Sequence, residues 1–257
     1  MKALSGKVAI VTGASAPAGI GRAIARRFAQ EGASLLLVAE GTASQLADAA
    51  EECRALAGEG ARAEHAVYDL SVEGAAEAMI ERAGKSFGRI DILVNNAGIR
   101  ARRKFGEFSR SDFNAAVAVN LAAPFFASQA VLPIMRRQGG GRIIHIASQM
   151  GSVTHDDRAV YGMTKAGLIY LAKAMAYELA ADNIIVNAIS PGPVLTGHIA
   201  ELIEKTPALG KERLAYIRAN RFGRPEEIAE LAFFLASTSA TYLMGQDIII
   251  DGGYTTH

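Results

Sequence analysis

The sequence predicts an α/β fold, a doubly wound parallel sheet of about seven strands with helices on both faces. Short runs rich in β-branched residues alternate with longer helical patterns along the 257 residues, as in proteins built from βαβ units. The strand-like runs are continuously apolar, which is typical of strands covered on both faces. Since no linker, low-complexity segment or fixed-period repeat divides the chain, we expect a single domain over residues 1–257.

These patterns predict seven strands, six main helices and one long connecting segment between the sixth strand and the last helix. The strands are predicted near 7–12, 34–39, 62–67, 91–95, 141–147, 183–189 and 246–250. The helices are predicted near 19–31, 43–58, 72–87, 111–137, 161–181 and 225–236. Ser71, Ser111 and Pro225 provide start signals for three of these helices. The stretch 193–222 is expected to carry one or two short helices and to serve as a lid or binding loop.

Composition and charge exclude several classes of protein. The chain has 27 Lys and Arg against 26 Asp and Glu, so it lacks the global basic charge of a nucleic-acid-binding protein. Cys53 is the only cysteine, which excludes an internal disulfide or a cysteine-based metal site. The first ten residues have no apolar signal core, and no uninterrupted apolar run approaches the roughly 20 residues that span a bilayer. We therefore expect a soluble, cytoplasmic protein with no metal, nucleic-acid or membrane partner.

The first strand is followed by a glycine-rich turn and an amphipathic helix. Gly13 would form the turn, Gly19 would allow a ligand to approach the backbone, and Gly21 would let the helix pack on the strand. Backbone N–H groups at the start of such a helix favour a pyrophosphate. This arrangement indicates a dinucleotide-binding turn.

Tyr161 and Lys165 form the strongest local signal for chemistry. Positions i and i+4 share one helix face, so the Lys ammonium can lower the pKa of the phenol, which is near 10 in a free tyrosine. Ser148 ends the fifth predicted strand thirteen residues before Tyr161. Asn120 lies inside the predicted helix 111–137, where it costs roughly 0.5 kcal/mol relative to Ala. Together they indicate a proton-transfer site.

These motifs together resemble the short-chain dehydrogenase/reductase family. The family pattern Thr-Gly-x-x-x-Gly-x-Gly appears at 12–21 with two extra residues, and Tyr-x-x-x-Lys appears at 161–165. The resemblance covers essentially residues 4–257 and implies a Rossmann-type fold and NAD(P)-dependent interconversion of a secondary alcohol and a ketone. The catalytic residues that it implies are Asn120, Ser148, Tyr161 and Lys165.

The resemblance also implies how these residues work. Tyr161 would be the general acid/base, Ser148 would hold the substrate oxygen, and Asn120 would interrupt its helix and hold a water linked to Lys165. Family members commonly pair the helices predicted at 111–137 and 161–181 across a twofold axis. We therefore expect a homotetramer.

The resemblance further assigns the cofactor-binding positions. They are Gly13, Ser15, Gly19, Ile20, Gly21, Glu40, Asp69, Leu70, Asn96, Ala97, Gly98, Tyr161, Lys165, Pro191, Gly192, Val194 and Thr196. Glu40 follows the second strand, where an acid repels a 2′-phosphate. Residue 18, often basic in NADP-using relatives, is Ala. NAD is therefore the predicted cofactor, with NADP as the alternative.

A basic loop after the fourth strand bears on the substrate. Arg100, Arg102, Arg103 and Lys104 lie at the edge of the sheet where ligands bind, and guanidinium groups match carboxylates. Gluconate 5-dehydrogenase-type members carry a similar loop, so a sugar acid or another hydroxy acid is the predicted substrate. A solvated charge run or a subunit contact would explain the loop equally well.

Three alternatives to this function stay open. A 3-oxoacyl-thioester reductase is the main rival within the family. A non-catalytic cofactor-binding regulator would usually lack Tyr161 or Lys165, and both are present. A lyase or epimerase usually has a longer substrate domain. Nearer the site, the segment 155–158 is expected to line the pocket, and His145 is expected to be a satisfied structural histidine.

Overall fold

Seven parallel strands form one sheet in the computed structural model, which describes residues 2–41 and 43–256. Positions 1, 42 and 257 of the predicted unit lie outside the described residues. The strands are β1 Val8–Thr12, β2 Ser34–Ala39, β3 Ala63–Val67, β4 Ile92–Asn95, β5 Gly141–Ile146, β6 Ile184–Pro191 and β7 Asp247–Ile250. Their order across the sheet is β3-β2-β1-β4-β5-β6-β7, and every neighbouring pair is parallel. The predicted fold class is confirmed.

Helices connect the strands as the periodicity predicts. They are α1 Ile20–Gln30, α2 Ala43–Ala57, α3 Ala75–Phe87, α4 Arg110–Val117, α5 Ala123–Arg137, α6 Ala159–Leu179, α7 Gly197–Lys205, α8 Pro207–Ala215 and α9 Pro225–Ser237. The helix predicted at 111–137 is two helices, because a π-helical turn at Ala118–Ala122 separates α4 from α5. The predicted connecting segment 193–222 contains α7 and α8.

Helices cover both faces of the sheet. Leu35 and Leu37 of β2 pack in a core with α1, α2 and α9. The alternate residues Leu36 and Val38 pack in a second core with α3, α5 and α6. Since side chains alternate between faces along a strand, a strand buried in both cores must be apolar at every position, which explains the uninterrupted runs in the sequence.

Two of the three predicted helix-start signals are wrong. α4 begins after Ser109, whose hydroxyl accepts from the Asp112 N–H at 3.0 Å while its own N–H donates to the Asp112 carboxylate. Ser111 therefore lies inside the first turn of α4. Ser71 belongs to a turn, where its N–H donates to Asp69 Oδ1 at 2.9 Å, and α3 begins only at Ala75. Pro225 is the first residue of α9, as predicted.

The helical stretch Arg110–Arg137 is long and apolar enough to cross a membrane by length and composition. Core helices of globular proteins meet the same criterion. Ala127, Val131 and Met135 of this stretch pack in the core against the sheet, and Ser128 accepts a hydrogen bond from the Asn95 amide of β4 at 3.1 Å. These contacts are those of a core helix.

Candidate active site

A cavity of about 520 Å³ opens at the carboxyl edge of the sheet. The predicted site residues that line it are Ile20, Asn96, Gly98, Ser148, Tyr161, Lys165, Pro191, Gly192, Val194 and Thr196. The remaining predicted residues, which are Gly13, Ser15, Gly19, Gly21, Glu40, Asp69, Leu70, Ala97 and Asn120, lie outside the cavity lining. Carboxyl edges of open parallel sheets are where ligands usually bind, so this cavity is the candidate active site.

The α6 helix places Lys165 close to Tyr161. The Lys165 ammonium is buried, donates to the Ile146 carbonyl at 2.8 Å and lies 5.9 Å from the centre of the Tyr161 ring. Burial, and to a lesser degree the positive charge of Arg100, lower the pKa of Lys165 to about 8. The i, i+4 spacing in the sequence thus places a buried cation beside the phenol.

Ser148 follows β5 and is buried against the cavity. Its hydroxyl accepts from the Met150 N–H and donates to Gln149 Oε1, both at 3.2 Å. The short 3-10 turn that it caps, Gln149–Gly151, packs on α6, and a Cβ added to Gly151 would lie 3.0 Å from the Ala166 nitrogen. This contact holds the end of β5 close to the helix that carries Tyr161.

Asn120 lies in the π-helical turn and is fully buried. Its Oδ1 accepts from the Ile99 N–H at 2.8 Å, and its Nδ2 donates to the Ile99 carbonyl at 3.0 Å and to Thr164 Oγ1 at 3.1 Å. The side chain therefore ties the loop after β4 to α6, one residue before Lys165. A residue with poor helix propensity is tolerated here because the helix is interrupted and the amide is bonded.

The glycine turn is packed too tightly for side chains at two positions. Gly13 has φ +68°, and a Cβ there would lie 2.8 Å from Asn96 Nδ2. A Cβ on Gly21 would lie 2.5 Å from the same nitrogen and would collide with the Gly13 carbonyl. Asn96 Nδ2 itself donates to the Thr12 carbonyl at 2.7 Å. The start of α1 is thus held directly against β1 and the segment after β4.

The N-terminus of α1 is free to receive an anionic group. Its N-cap residue, Gly19, has no side chain to cap the helix, and among residues 2–41 and 43–256 no side chain accepts from the first helical N–H groups. Such N–H groups and the helix dipole suit a phosphate. The residues present here therefore fit a dinucleotide.

Arg22 stabilises the two-residue expansion of the turn. Its buried guanidinium donates to the Ser15 carbonyl at 3.4 Å, to the Gln45 carbonyl at 3.1 Å and to Glu52 at 2.8 Å. The expanded turn is therefore held against α2. Because Arg22 is engaged by these three acceptors, it is not poised to bind a 2′-phosphate.

Replacing Gly21 by Ala should weaken cofactor binding by at least about tenfold, because α1 must move away from Gly13 and Asn96. Gly106→Ala is the matched control, since a Cβ there meets nothing within 4 Å. NADH binding by fluorescence titration measures the difference. Equal affinities in the two variants would contradict a role for this close contact.

The predicted site residues at the ends of β2 and β3 lie outside the cavity lining. Glu40 is exposed where β2 ends. Asp69 is exposed, and the Ser71 hydroxyl and N–H hold the pKa of its carboxyl below the usual range. The Tyr68 N–H donates to the Ala39 carbonyl at 3.1 Å, which keeps the two strand ends together.

The outer part of the cavity contains residues that the sequence did not single out. Arg213 and Tyr216 come from α8 and its end, and Tyr254 comes from the segment after β7. The Tyr216 ring meets His155 edge-on at 5.6 Å and lies 5.9 Å from the Tyr254 ring. Only a three-dimensional structure brings these distant positions together, and no local pattern marks them.

The basic loop divides between the cavity and the surface. Arg100 and Arg102 line the cavity, whereas Arg103 does not and pairs with Asp112 at 3.6 Å. Arg102 binds Asp157 through two nitrogens, at 2.9 and 3.2 Å from Oδ2. The segment predicted to line the cavity, residues 155–158, does so.

His145 of β5 is fully buried, and only one of its two ring nitrogens has a hydrogen-bond partner among the described residues. Its Nδ1 lies 3.2 Å from the Asn95 amide nitrogen, whereas its Nε2 has no partner among residues 2–41 and 43–256. Burial, with a contribution from Lys165, lowers the pKa of His145 to about 3. The imidazole is therefore neutral at pH 7.

Within residues 2–41 and 43–256, no group of three or more His, Cys, Asp or Glu side chains could hold a metal ion.

Known proteins resemble this chain over almost its whole length. A family model described as enoyl-(acyl carrier protein) reductase matches residues 13–255. A D-threitol dehydrogenase from Mycolicibacterium smegmatis is 40% identical over 256 residues, which cover 98% of this chain and 94% of the relative. The 3-oxoacyl-(acyl-carrier-protein) reductase FabG of Thermotoga maritima is 37% identical over 251 residues, which cover 97% of this chain and 98% of the relative.

A solved structure agrees with this match. The crystal structure of a protein described as an NAD(P)-dependent gluconate 5-dehydrogenase, from Beutenbergia cavernae with NADP bound at low occupancy, has a TM-score of 0.90 at 35% identity. The match covers 99% of this chain and 98% of that one.

The chain belongs to the short-chain dehydrogenase/reductase family. It is an NAD(P)-dependent oxidoreductase that acts on CH–OH groups, as the sequence predicts.

Proposed function

We propose that this enzyme interconverts a hydroxy acid and the corresponding keto acid, with NAD as its preferred cofactor and Tyr161 as general acid/base. The observation that carries this proposal is the meeting of Tyr161, Lys165 and Ser148 with Arg100 and Arg102 in one cavity. When bound, the nicotinamide supplies the acceptor or donor of the hydride. The proposal requires that substrate turnover depends on the Tyr161 hydroxyl.

The chain's own residues would move the proton. In oxidation, the Tyr161 oxygen accepts the proton of the substrate hydroxyl, and in reduction the phenol returns it to the ketone oxygen. The buried Lys165 ammonium, 5.9 Å from the Tyr161 ring, stabilises the phenolate electrostatically. The Ser148 hydroxyl holds the substrate oxygen in place. Asn120 fixes the loop after β4 against α6 and thereby the approach to Lys165.

The cofactor-binding residues remain those that the resemblance implies. Gly13, Gly19 and Gly21 would hold the pyrophosphate at the start of α1, which the uncapped helix end supports. The other positions would be Ser15, Ile20, Glu40, Asp69, Leu70, Asn96, Ala97, Gly98, Pro191, Gly192, Val194 and Thr196. Lys165 would also bond the nicotinamide ribose.

The preference for NAD rests on charge around the end of β2. Glu40 is exposed there, and no Lys or Arg occurs between positions 28 and 53. We expect a higher kcat/KM with NAD than with NADP. Glu40→Gln should lower the ratio of the two kcat/KM values by a few-fold, because it removes one exposed charge interaction. Glu59→Gln, at the opposite end of α2, is the control. A clear preference for NADP in the native enzyme would contradict this assignment.

A second candidate reaction is the reduction of a 3-oxoacyl thioester. The relative from Thermotoga maritima carries that activity in its name. The arginines of the cavity favour a small anionic substrate instead, since a thioester has no charge next to its ketone.

We further propose one domain across 1–257 with 193–222 as its lid, and a soluble, cytoplasmic homotetramer. Large apolar side chains stay exposed on the helices that family members pair, including Phe125, Phe126, Tyr170 and Tyr177. Light scattering at micromolar concentration should return four times the 27.0 kDa chain mass. A mass of one chain would contradict the tetramer.

A further inference from the structure

Four arginines from three separate segments converge on the outer part of the cavity. Arg100 and Arg102 come from the loop after β4, Arg158 precedes α6, and Arg213 lies on α8 of the proposed lid. With Lys165, five cationic side chains line the cavity, against the carboxylates of Asp156, Asp157 and Glu212. Cationic groups are therefore in excess where substrate would enter.

The internal ion pairs do not use all of these guanidinium groups. Asp157 is shared, because Arg102 binds its Oδ2 at 2.9 Å and Arg158 lies 3.0 Å from its Oδ1. In the part of the chain that the structure describes, neither Arg100 nor Arg213 has an ion-pair partner within 4.0 Å. Arg100 and Arg213 are thus left for a ligand, and Arg158 shares its carboxylate with Arg102.

Arg158 and Arg213 are partly buried beside other positive charges, whereas Arg100 and Arg102 are exposed, and the carboxylates of Asp157 and Glu212 offset only part of the repulsion. The pKa of Arg213 is lowered by burial and by the positive charges of Arg102 and Arg100. The pKa of Arg158 is lowered by burial and by Arg102, with smaller contributions from Arg213 and Arg100. Partly buried like charges that repel one another are stabilised by an anion placed between them.

We propose that Arg213, together with Arg158 and Arg100, binds an oxyanion of the substrate, and that α8 thereby carries a residue that determines specificity. The ligand chemistry is a carboxylate or a phosphate on the alcohol or ketone that reacts at Tyr161. This inference rests on the proposed function for the identity of the reacting group. It extends the predicted anion site from the basic loop after β4, with Arg100, Arg102, Arg103 and Lys104, to Arg158 and to α8.

Anion binding tests the site without requiring turnover. The NADH-loaded enzyme is titrated calorimetrically with sodium malonate and, separately, with sodium phosphate, so the two arms distinguish a carboxylate from a phosphate. Arg213→Gln should bind the preferred anion at least about tenfold more weakly, as expected for the loss of a charge-assisted bond. Arg213→Lys keeps the charge but not the planar guanidinium group, so its affinity for the anion should lie between those of the native enzyme and Arg213→Gln. Arg103→Gln, outside the cavity, should bind like the native enzyme.

The outcomes separate this inference from the proposed function. Tyr161→Phe should bind the anion like the native enzyme while losing turnover. Absence of binding for both anions, or equal affinity in the native enzyme and Arg213→Gln, would overturn the oxyanion site even if the enzyme oxidises alcohols. A failure of NADH to bind would overturn the proposed function, and the same titration without NADH would then still decide the oxyanion site.

Discussion

Tyr161→Phe is expected to lower kcat by at least about 100-fold, the low end of general acid–base catalysis. The substitution removes only the phenolic oxygen, which is the group proposed to exchange a proton with the substrate. The ring that lies 5.9 Å from the Lys165 ammonium is kept, so the fold and cofactor binding should change little. Steady-state rates with any alcohol or ketone that the native enzyme converts measure the loss.

NADH affinity is the control for this variant. A retained affinity with lost turnover assigns the hydroxyl to the chemical step. Near-native turnover in Tyr161→Phe would remove Tyr161 from the mechanism, and a parallel loss of NADH binding and of thermal stability would indicate a structural role instead.

Lys165→Met is expected to lower both kcat and cofactor affinity. Methionine retains an apolar stem in the buried position but cannot donate to the Ile146 carbonyl or stabilise a phenolate. We expect at least about a 100-fold loss in kcat, since the charge that supports proton transfer is removed. Lys173→Met, on the exposed side of the same helix, is the control and should retain native rates.

The pH dependence of stability provides a second readout for Lys165. Burial lowers its pKa from 10.5 to about 8 in the folded protein. Between these values the unfolded chain binds more protons, so this group makes the free energy of unfolding rise as pH increases from about 8 to 10.5. Denaturant unfolding at pH 8 and pH 10 should show a larger gain for the native enzyme than for Lys165→Met. Equal gains would mean that Lys165 is not desolvated.

The sequence predicts the sheet and the centre of the site because both depend on local patterns. Strands buried on two faces must be apolar throughout, and the i, i+4 spacing of Tyr161 and Lys165 needs only a helix. The sequence alone does not identify the cap of α4 at Ser109, because serines occur at both 109 and 111 and only the hydrogen bonds to Asp112 distinguish them.

The outer cavity could not be predicted because it depends on tertiary contacts. Arg158 and Arg213 are 55 positions apart in the sequence and meet only when α8 folds over the cavity. The role of Arg22 was likewise hidden, since its acceptors lie on the expanded turn and on α2. The sequence predicts a fully hydrogen-bonded His145, yet the packing of β5 leaves its Nε2 without a partner in the described ranges.

The most direct test of the proposed function is the initial rate of NAD(P)H formation or consumption over a small substrate panel. The panel contains gluconate and related hydroxy acids, the neutral counterpart glucitol, and acetoacetyl-coenzyme A, each with NAD(H) and with NADP(H). We predict NADH formation from at least one hydroxy acid, with a higher kcat/KM than for its neutral counterpart. Conversion of the thioester alone, with NADPH, or NADH binding without turnover of any member, would contradict it.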